Sequence, residues 1–354
     1  MSIEYDRTAL LALPGIRDGN PEEKGLLSWS RPYLVNEIRQ HGVDVAVARG
    51  LASLDETEAM AHDVIRPVYG DHDRQVTIER LGSVGVGEFS VVRNILRPLH
   101  METDTPLLNP NNVRALARDK YQVAQTVFGP NDMYGREATL IDREDSGSDV
   151  QAKLESLPGD LVVAKPINGQ RSKGVYVGTK EEVSQALTER TAGYIVEEKL
   201  DFSSPLPHLR GVDAEQQSRL EHANQEGVNK EVRLYYFGND QWDVVGRVAK
   251  RGEIDFRSDE WLYLDLESTP GYLVEGARQV IARLQEITGS DEFNIAIDWV
   301  YASSASRPEP EWKPMELNAA EPQLVQLGEH DEIGRRHHRK LAEQISRIAL
   351  NRYN

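Results

Sequence analysis

Apolar residues along this chain recur at two spacings, and the changes between them mark the elements. Leu10 to Leu13, closed by Pro14-Gly15, reads as a short buried strand entering a polar loop over 16–27. Ser30 and Pro32 open a predicted helix through Tyr33 to Ile38. Gly42 ends it, and Val43 to Ala48 forms a second strand. Strand, helix, strand is the βαβ pattern of a small parallel sheet. Val64–Tyr69 and Phe89–Leu96 are further predicted strands. Asn109-Pro110-Asn111-Asn112 is a turn and helix start, and Val113 to Val127 follows with helical spacing.

Further on, Leu161–Ala164 is a continuous apolar run that enters Lys165-Pro166, a buried strand. Gly174–Gly178 is its predicted hairpin partner. Glu181–Glu189 reads as a helix and Tyr194–Leu200 as a strand. The stretch 202–230 is polar and reads as a partly helical insertion. Glu231–Phe237 and Trp242–Ala249 flank Gly238-Asn239-Asp240, a hairpin signature. Pro270–Ile287 is an amphipathic helix. Phe293–Ala302 and Trp312–Ala319 are strands joined by a Ser/Pro/Glu-rich loop, and a last helix covers Ile333–Leu350. The fold class is α/β (α+β).

Composition narrows the function classes. A chain of 354 residues is long enough for two or three subdomains. Its formal charge of −17 argues against non-specific nucleic-acid or anionic-membrane binding, because the phosphate field would repel it. With no cysteine, thiolate nucleophiles, disulfides and zinc ribbons are excluded. The first residues carry acids and lack a basic segment followed by a long apolar run, and no stretch is apolar for the length a bilayer needs. The expectation is a cytoplasmic protein.

Several residues carry chemistry. Glu316 and Asn318, two apart in a strand, project from one face, and a hairpin would bring Asp298 beside them. Three oxygen donors on strands suit Mg²⁺ better than zinc. Lys165 ends an apolar run, where a part-buried lysine needs an anionic partner. The loop Asn168 to Gly174, with Gly169, Ser172 and Gly174, lets backbone approach an anion closely. Arg233, Arg247 and Arg257 gather cations between these segments in an otherwise acidic protein, and arginine suits bidentate carboxylate or phosphate recognition. Gly82 to Gly87 precedes no convincing helix and is rejected as a dinucleotide motif. The basic run Arg335 to Lys340 reads as the solvated face of a packed helix. Its two adjacent histidines leave in different directions and make no metal motif.

Arg118-Asp119-Lys120, Val162 to Pro166 with its glycine loop, Ile195 to Lys199, and Asp298 with Met315 to Asn318 resemble, in this order, the ATP-grasp superfamily. Glu231-Val232-Arg233 resembles the DxR motif of its glutamate-adding and glutathione-synthesising branches, with Glu in place of Asp, and the loop 303–311 is longer than usual. The resemblance implies an ATP-grasp fold behind a small parallel α/β domain: a first domain over 1–108, a lid subdomain over 109–200 and a large subdomain over 201–354. It implies ATP held by Lys120, Lys165 and the glycine loop, with Glu197 on the adenine amino group and the backbone of Glu198 and Leu200 beside it. It implies Mg²⁺ on Asp298, Glu316 and Asn318, and arginines 233, 247 and 257 on a substrate carboxylate and oxyanion. The activity implied is a carboxylate–amine ligase acting on amino acids or peptides through an acyl phosphate. A kinase of the same fold and a non-catalytic ATP-binding scaffold are the alternatives, and the resemblance admits a homodimer.

Overall fold

A computed structural model of the chain describes residues 8–13, 33–49, 75–79, 108–109, 111–129, 137–167, 174–204, 214, 218, 221, 230–248, 261–263, 271–290, 293–319 and 331–351. The expectations for 16–27, for Val64–Tyr69 and Phe89–Leu96, and for most of 202–230 lie outside them. Of that last stretch, Ala214, Ser218 and Glu221 are helical.

Near the start, β1 (Thr8–Leu13) pairs in parallel with β2 (Asp44–Arg49) and with β3 (Gln75–Glu79), in the order β2-β1-β3. Helix α1, over 33–40, connects β1 to β2. Gly42 stops it at φ +80°, a backbone state glycine adopts without steric cost. The five-residue strand β3 was not foreseen.

The expected single helix over 113–127 is broken in two. Helix α2 (Asn111–Arg118) ends at Asp119, whose extended backbone and side-chain bond to the Gln122 N–H cap a new segment. That segment runs as α3 (Lys120–Gln122) into a π-helical turn (Val123–Phe128). Lys120 opens the new segment, and its N–H donates to Ile167 O at 3.3 Å.

A four-stranded antiparallel sheet follows, ordered β4-β7-β5-β6. It consists of β4 (Ala138–Ile141), β5 (Leu161–Pro166), β6 (Tyr176–Thr179) and β7 (Tyr194–Glu198). Two helices cover one face, α4 (Gly147–Glu155) and α5 (Lys180–Ala186). Both start in capping boxes, Ser146 with Asp149 and Thr179 with Glu182, and each side chain satisfies a backbone donor of the other residue. Val162, Ala164 and Val196 face these helices with Val150, Leu154 and Val183. Period-two alternation sends Lys165, Ile195 and Glu197 to the opposite face.

The larger sheet is antiparallel, in the order β10-β9-β8-β11-β12. Its strands are β8 (Lys230–Tyr236), β9 (Trp242–Val248), β10 (Trp261–Tyr263), β11 (Ile295–Ala302) and β12 (Glu311–Asn318). The β8–β9 hairpin turns as its residues require: Gly238, Asn239 and Asp240 all have positive φ, at 74°, 47° and 54°. Asp240 then accepts from Trp242 Nε1 at 2.8 Å and from Arg278 Nη2 at 2.6 Å, fastening the turn to α6 (Gly271–Thr288).

The two faces of this sheet have different fates. Val232, Leu234, Tyr236, Val244, Ile295, Ile297 and Leu317 bury against α6 and against Val113 to Phe128. Truncating a fully buried anchor such as Leu284 to Ala costs about 2–5 kcal/mol. On the other face, α7 (Asp331–Asn351) covers Tyr235, Phe237, Val245 and Ala296 through Leu341, Ala342 and Ile345, with Leu34 and Ile38 of α1 alongside. Among the described residues no helix is long and apolar enough to cross a membrane.

The expectation of a solvated basic face on α7 holds for Arg335 and Arg339, which are exposed, and is corrected for the rest of the run. His337 and His338 are fully buried, and Arg336 donates to Asp243, itself 1% exposed. Lys340 donates to the Trp242 carbonyl. The His337 ring meets Tyr235 and Phe237 edge-on at 4.4 and 4.9 Å, with Nδ1 3.7 Å from Asp243 Oδ2. The run follows an amphipathic helix, but Arg336 and Lys340 serve the packed side because β9 presents a buried acid and a carbonyl to them.

Candidate active site

The polar strip left open by α7 is built from strand register. Arg233 on β8 lies opposite Asp298 on β11, and Asp298 lies opposite Glu316 on β12. The three side chains therefore form one row across three strands. Asn318, two residues beyond Glu316, projects from the same face. On β11 the row is bounded by Ala296 on one side, within the cluster under α7, and by Val300 on the other, packed with Leu200 and Ala302. A bulge follows Asp298: Trp299 pairs with Pro314, so Met315 is the extra residue. Proline cannot donate to the ladder, and the bulge accommodates it beside the functional row.

Within the row, Arg233 grips Asp298 with both arms of its guanidinium, Nε to Oδ1 and Nη2 to Oδ2, the latter at 2.5 Å. Glu231 stands 3.8 Å away. Burial opposes the Arg233 charge, but Asp298, with Tyr235 and Glu231, holds its pKa well above the usual value. Asn318 donates Nδ2 to Asp298 Oδ2 at 3.0 Å, which fixes its amide plane. Glu316 is the open member, its side chain 41% exposed against 4% for Asp298. It accepts from Lys120 Nζ at 2.6 Å. Burial would raise the Glu316 carboxyl, but Lys120, Arg233 and Lys165 together outweigh it. Its pKa is lowered.

The facing wall comes from the four-stranded sheet. Lys165 Nζ donates to Glu197 Oε2 at 2.6 Å, the two lying diagonally across β5 and β7. Burial pushes the Glu197 carboxyl up to about 8, against the pull of Lys120 and with the Glu316 charge adding to the rise. Lys120, Lys165, Glu197, Glu316, Arg233, Asp298 and Asn318 are thus brought together. The turn before α2 braces them from below. Asn109, at φ +60°, donates Nδ2 to Ala319 O at 2.6 Å and accepts the Asn294 N–H at 2.7 Å. It ties the ends of β11 and β12 together next to Asn318. Sequence reading saw that asparagine only as part of a turn.

Glu198, expected to offer its backbone to the nucleotide, is 1% exposed, with its side chain on the face of β7 opposite Glu197. Its carboxylate takes the Glu137 and Ser306 N–H groups at 2.9 Å each and the Ser306 hydroxyl. Its own N–H donates to Glu137 O. The Leu200 side chain is buried in the apolar cluster with Val300. Gly174 has φ +74°, and a Cβ there would stand 3.1 Å from Pro166 Cγ. Gly169, Ser172 and Arg257 lie outside the described residues. Arg247 lies on β9 opposite Glu231, and its side chain is also outside them. Arg233, expected on a substrate carboxylate, here donates Nε and Nη2 to Asp298.

The donor set Asp298, Glu316 and Asn318 is all oxygen, two carboxylates and an amide. Among the described residues there is no cluster of three His, Cys, Asp or Glu. Such a set fits a hard divalent cation that completes its shell with phosphate or water oxygens, and it does not fit a closed zinc site. The Asn318 bond to Asp298 also provides the outer-shell orientation such ligands need.

No protein-family model matches the chain, and no curated protein matches its sequence. Solved structures do match it over almost their whole length. D-cycloserine synthetase DcsG is 16% identical at a TM-score of 0.57, with 95% of this chain and 99% of that chain covered. The D-alanine–D-alanine ligase of Bacillus anthracis complexed with ATP is 14% identical at 0.57, with 97% of each covered. The VanG D-Ala:D-Ser ligase of Enterococcus faecalis is 14% identical at 0.60, with 97% and 100% covered. The chain has the ATP-grasp fold. In that fold the row on β8, β11 and β12 and the wall carrying Lys165 and Glu197 belong to two different sheets, with Lys120 reaching between them.

Proposed function

We propose that the protein is an ATP- and magnesium-dependent ligase that joins the carboxylate of one small molecule to the amine of another, with amino acids or peptides as the substrate class. The observation that carries this reading is the Arg233–Asp298–Glu316 row with Asn318, faced by Lys120 and Lys165. It sets hard oxygen donors against cations. Magnesium bound to Asp298, Glu316 and Asn318 would offset phosphate charge during transfer.

The chain's own residues have separable tasks. Arg233 holds Asp298 in place. Lys120 and Lys165 are positioned to exchange their carboxylate partners for phosphate oxygens, and Lys120 in doing so uncovers Glu316. Glu197 orients Lys165. With Arg233 committed, the substrate carboxylate and its oxyanion fall to Arg247 or Arg257. In the reaction a carboxylate oxygen takes the γ-phosphoryl group and ADP leaves. The amine then adds to the acyl carbon, loses a proton and displaces orthophosphate. Catalysis of this kind is mainly positioning and charge stabilisation. The same reading assigns 1–108, 109–200 and 201–354 to leading, lid and large subdomains.

The test supplies ATP, Mg²⁺ and pools of amino acids and dipeptides and quantifies ADP and orthophosphate, with Glu316→Gln in parallel. Pool-dependent release of both, lost in the variant, is expected. ADP with a phosphorylated product and no orthophosphate would replace the ligase with a kinase. Absence of ATP binding would overturn the reading.

A further inference from the structure

Strand β7 ends in two adjacent acids that alternation sends to opposite faces. Glu197 serves the cleft through Lys165. Glu198 is as deeply buried, yet it meets no cation by hydrogen bond: its three bonds come from Glu137 N, Ser306 N and Ser306 Oγ. Ser306 lies in the loop between β11 and β12, the hairpin that carries Asp298 and Glu316. One step further along, Asp201 and Ser303 form an isolated antiparallel bridge, N–H to O at 2.9 and 3.2 Å. The loop itself is shaped. Ser304 N donates to Arg307 O at 2.8 Å, Arg307 N donates back to Ser304 O at 3.2 Å, and Glu311 collects Arg307 Nη1 at 3.2 Å and Lys313 Nζ at 2.6 Å.

We propose that Glu198 and Ser306 are a pair of positioning residues, a latch that fixes the end of β7 against the β11–β12 hairpin and so sets the spacing between the Lys165–Glu197 wall and the Asp298–Glu316 row. At this junction the Asp201–Ser303 bridge and the Leu200–Val300–Ala302 cluster also join the two sheets, and the Glu198 carboxylate adds the side-chain acceptor buried between them. Hydrogen bonds to a charged group are roughly twice as strong as neutral ones. Removing the carboxylate also leaves buried donors unsatisfied, and the neutral bridge and apolar cluster beside it do not replace that acceptor. The catalytic consequence rests on the ligase reading, but the mechanical one does not.

Because the chain has no cysteine, labels can be placed singly. Gln185→Cys on α5 and Ala282→Cys on α6, both exposed, carry spin labels, and pulsed electron resonance reads their separation. With Glu198 and Ser306 intact, one narrow distance is expected. It should broaden in Glu198→Ala and, less, in Ser306→Ala, and return to narrow in Ser306→Thr, which keeps both donors. KM for ATP should rise roughly tenfold in Glu198→Ala, the loss of about one such bond, while kcat moves less. Ser306→Thr should match the wild type. If Glu198→Ala does not fold, the Ser306 pair decides alone. A distance equally narrow in every variant overturns the latch, as does Ser306→Thr behaving like Ser306→Ala. Broadening in a protein that never turns over ATP would uphold the latch and overturn the ligase reading instead.

Discussion

One face of the five-stranded sheet carries two clusters of charge, and they differ in what closes them. Under α7, Asp243 is held by Arg336 and flanked by His337. Aromatic rings of β8 cover the histidine, and the Asp243 side chain is 0% exposed. A few residues away, Asp298 is held by Arg233 just as firmly, but the row continues to Glu316, whose side chain is 41% exposed and whose partner comes from a different part of the chain. Both clusters hold acids whose net charge interactions are favourable. Burial raises the Asp243 carboxyl, yet His337, Arg336 and Lys340 together bring it below its ordinary value. A buried ion pair therefore does not by itself mark a site. What marks one is an open end and a counter-ion that can leave.

The largest effects should separate the clusters by kind. In Asp243→Ala, Arg336 loses its buried acceptor, and breaking such a pair costs about 3–5 kcal/mol. Urea unfolding should show that loss, with turnover per folded molecule kept. Glu316→Gln should do the reverse: kcat/KM should fall by about 10²–10³, as for other groups that stabilise transferred charge, with the urea midpoint nearly unmoved. If Asp243→Ala loses turnover per folded molecule as Glu316→Gln does, the division fails.

Acid should sharpen the contrast next. The folded pKa of Asp243 lies below its unfolded value of about 3.9, so its contribution is fully present above that value and is lost as pH falls through the folded pKa. The wild-type urea midpoint should drop below about pH 4 as this contribution is lost. Asp243→Asn starts lower and should show a shallower drop over the same window. Parallel curves for the two proteins would mean that other carboxylates dominate acid unfolding.

Much of this arrangement was legible in the chain. The β8–β9 hairpin, the β11–β12 pair and the αβ alternation at the start follow from turn residues and spacing, and the ExN spacing put Glu316 and Asn318 on one face. Other features were not legible, for physical reasons. Strands β3, β4 and β10 have five, four and three residues, too few for alternation to be read. The break at Asp119 was hidden because 113–127 keeps helical spacing across it, and only the cap bond to Gln122 reveals it. The clusters under α7 and around Glu198 were missed for another reason. Periodicity places charged residues outside, and their burial depends on an acid or donor more than ninety residues away in the chain, Asp243 for Arg336 and Ser306 for Glu198.

The smallest expected effect concerns the counter-ion that can leave. Lys120 and Glu316 sit 2.6 Å apart, but both are partly exposed, at 23% and 41%, so solvent and salt screen them. A double-mutant cycle on stability with Lys120→Met and Glu316→Gln should give a coupling below about 1 kcal/mol, shrinking further in high salt. The same cycle with Arg336→Leu and Asp243→Asn should give a larger coupling that salt changes less, since the Asp243 side chain is fully buried, although Arg336 is as exposed as Lys120 at 23%. A strong, salt-resistant coupling between Lys120 and Glu316 would mean that the pair is a structural lock. Lys120 could then not be exchanged cheaply onto phosphate, and the role proposed for it would have to pass to Lys165.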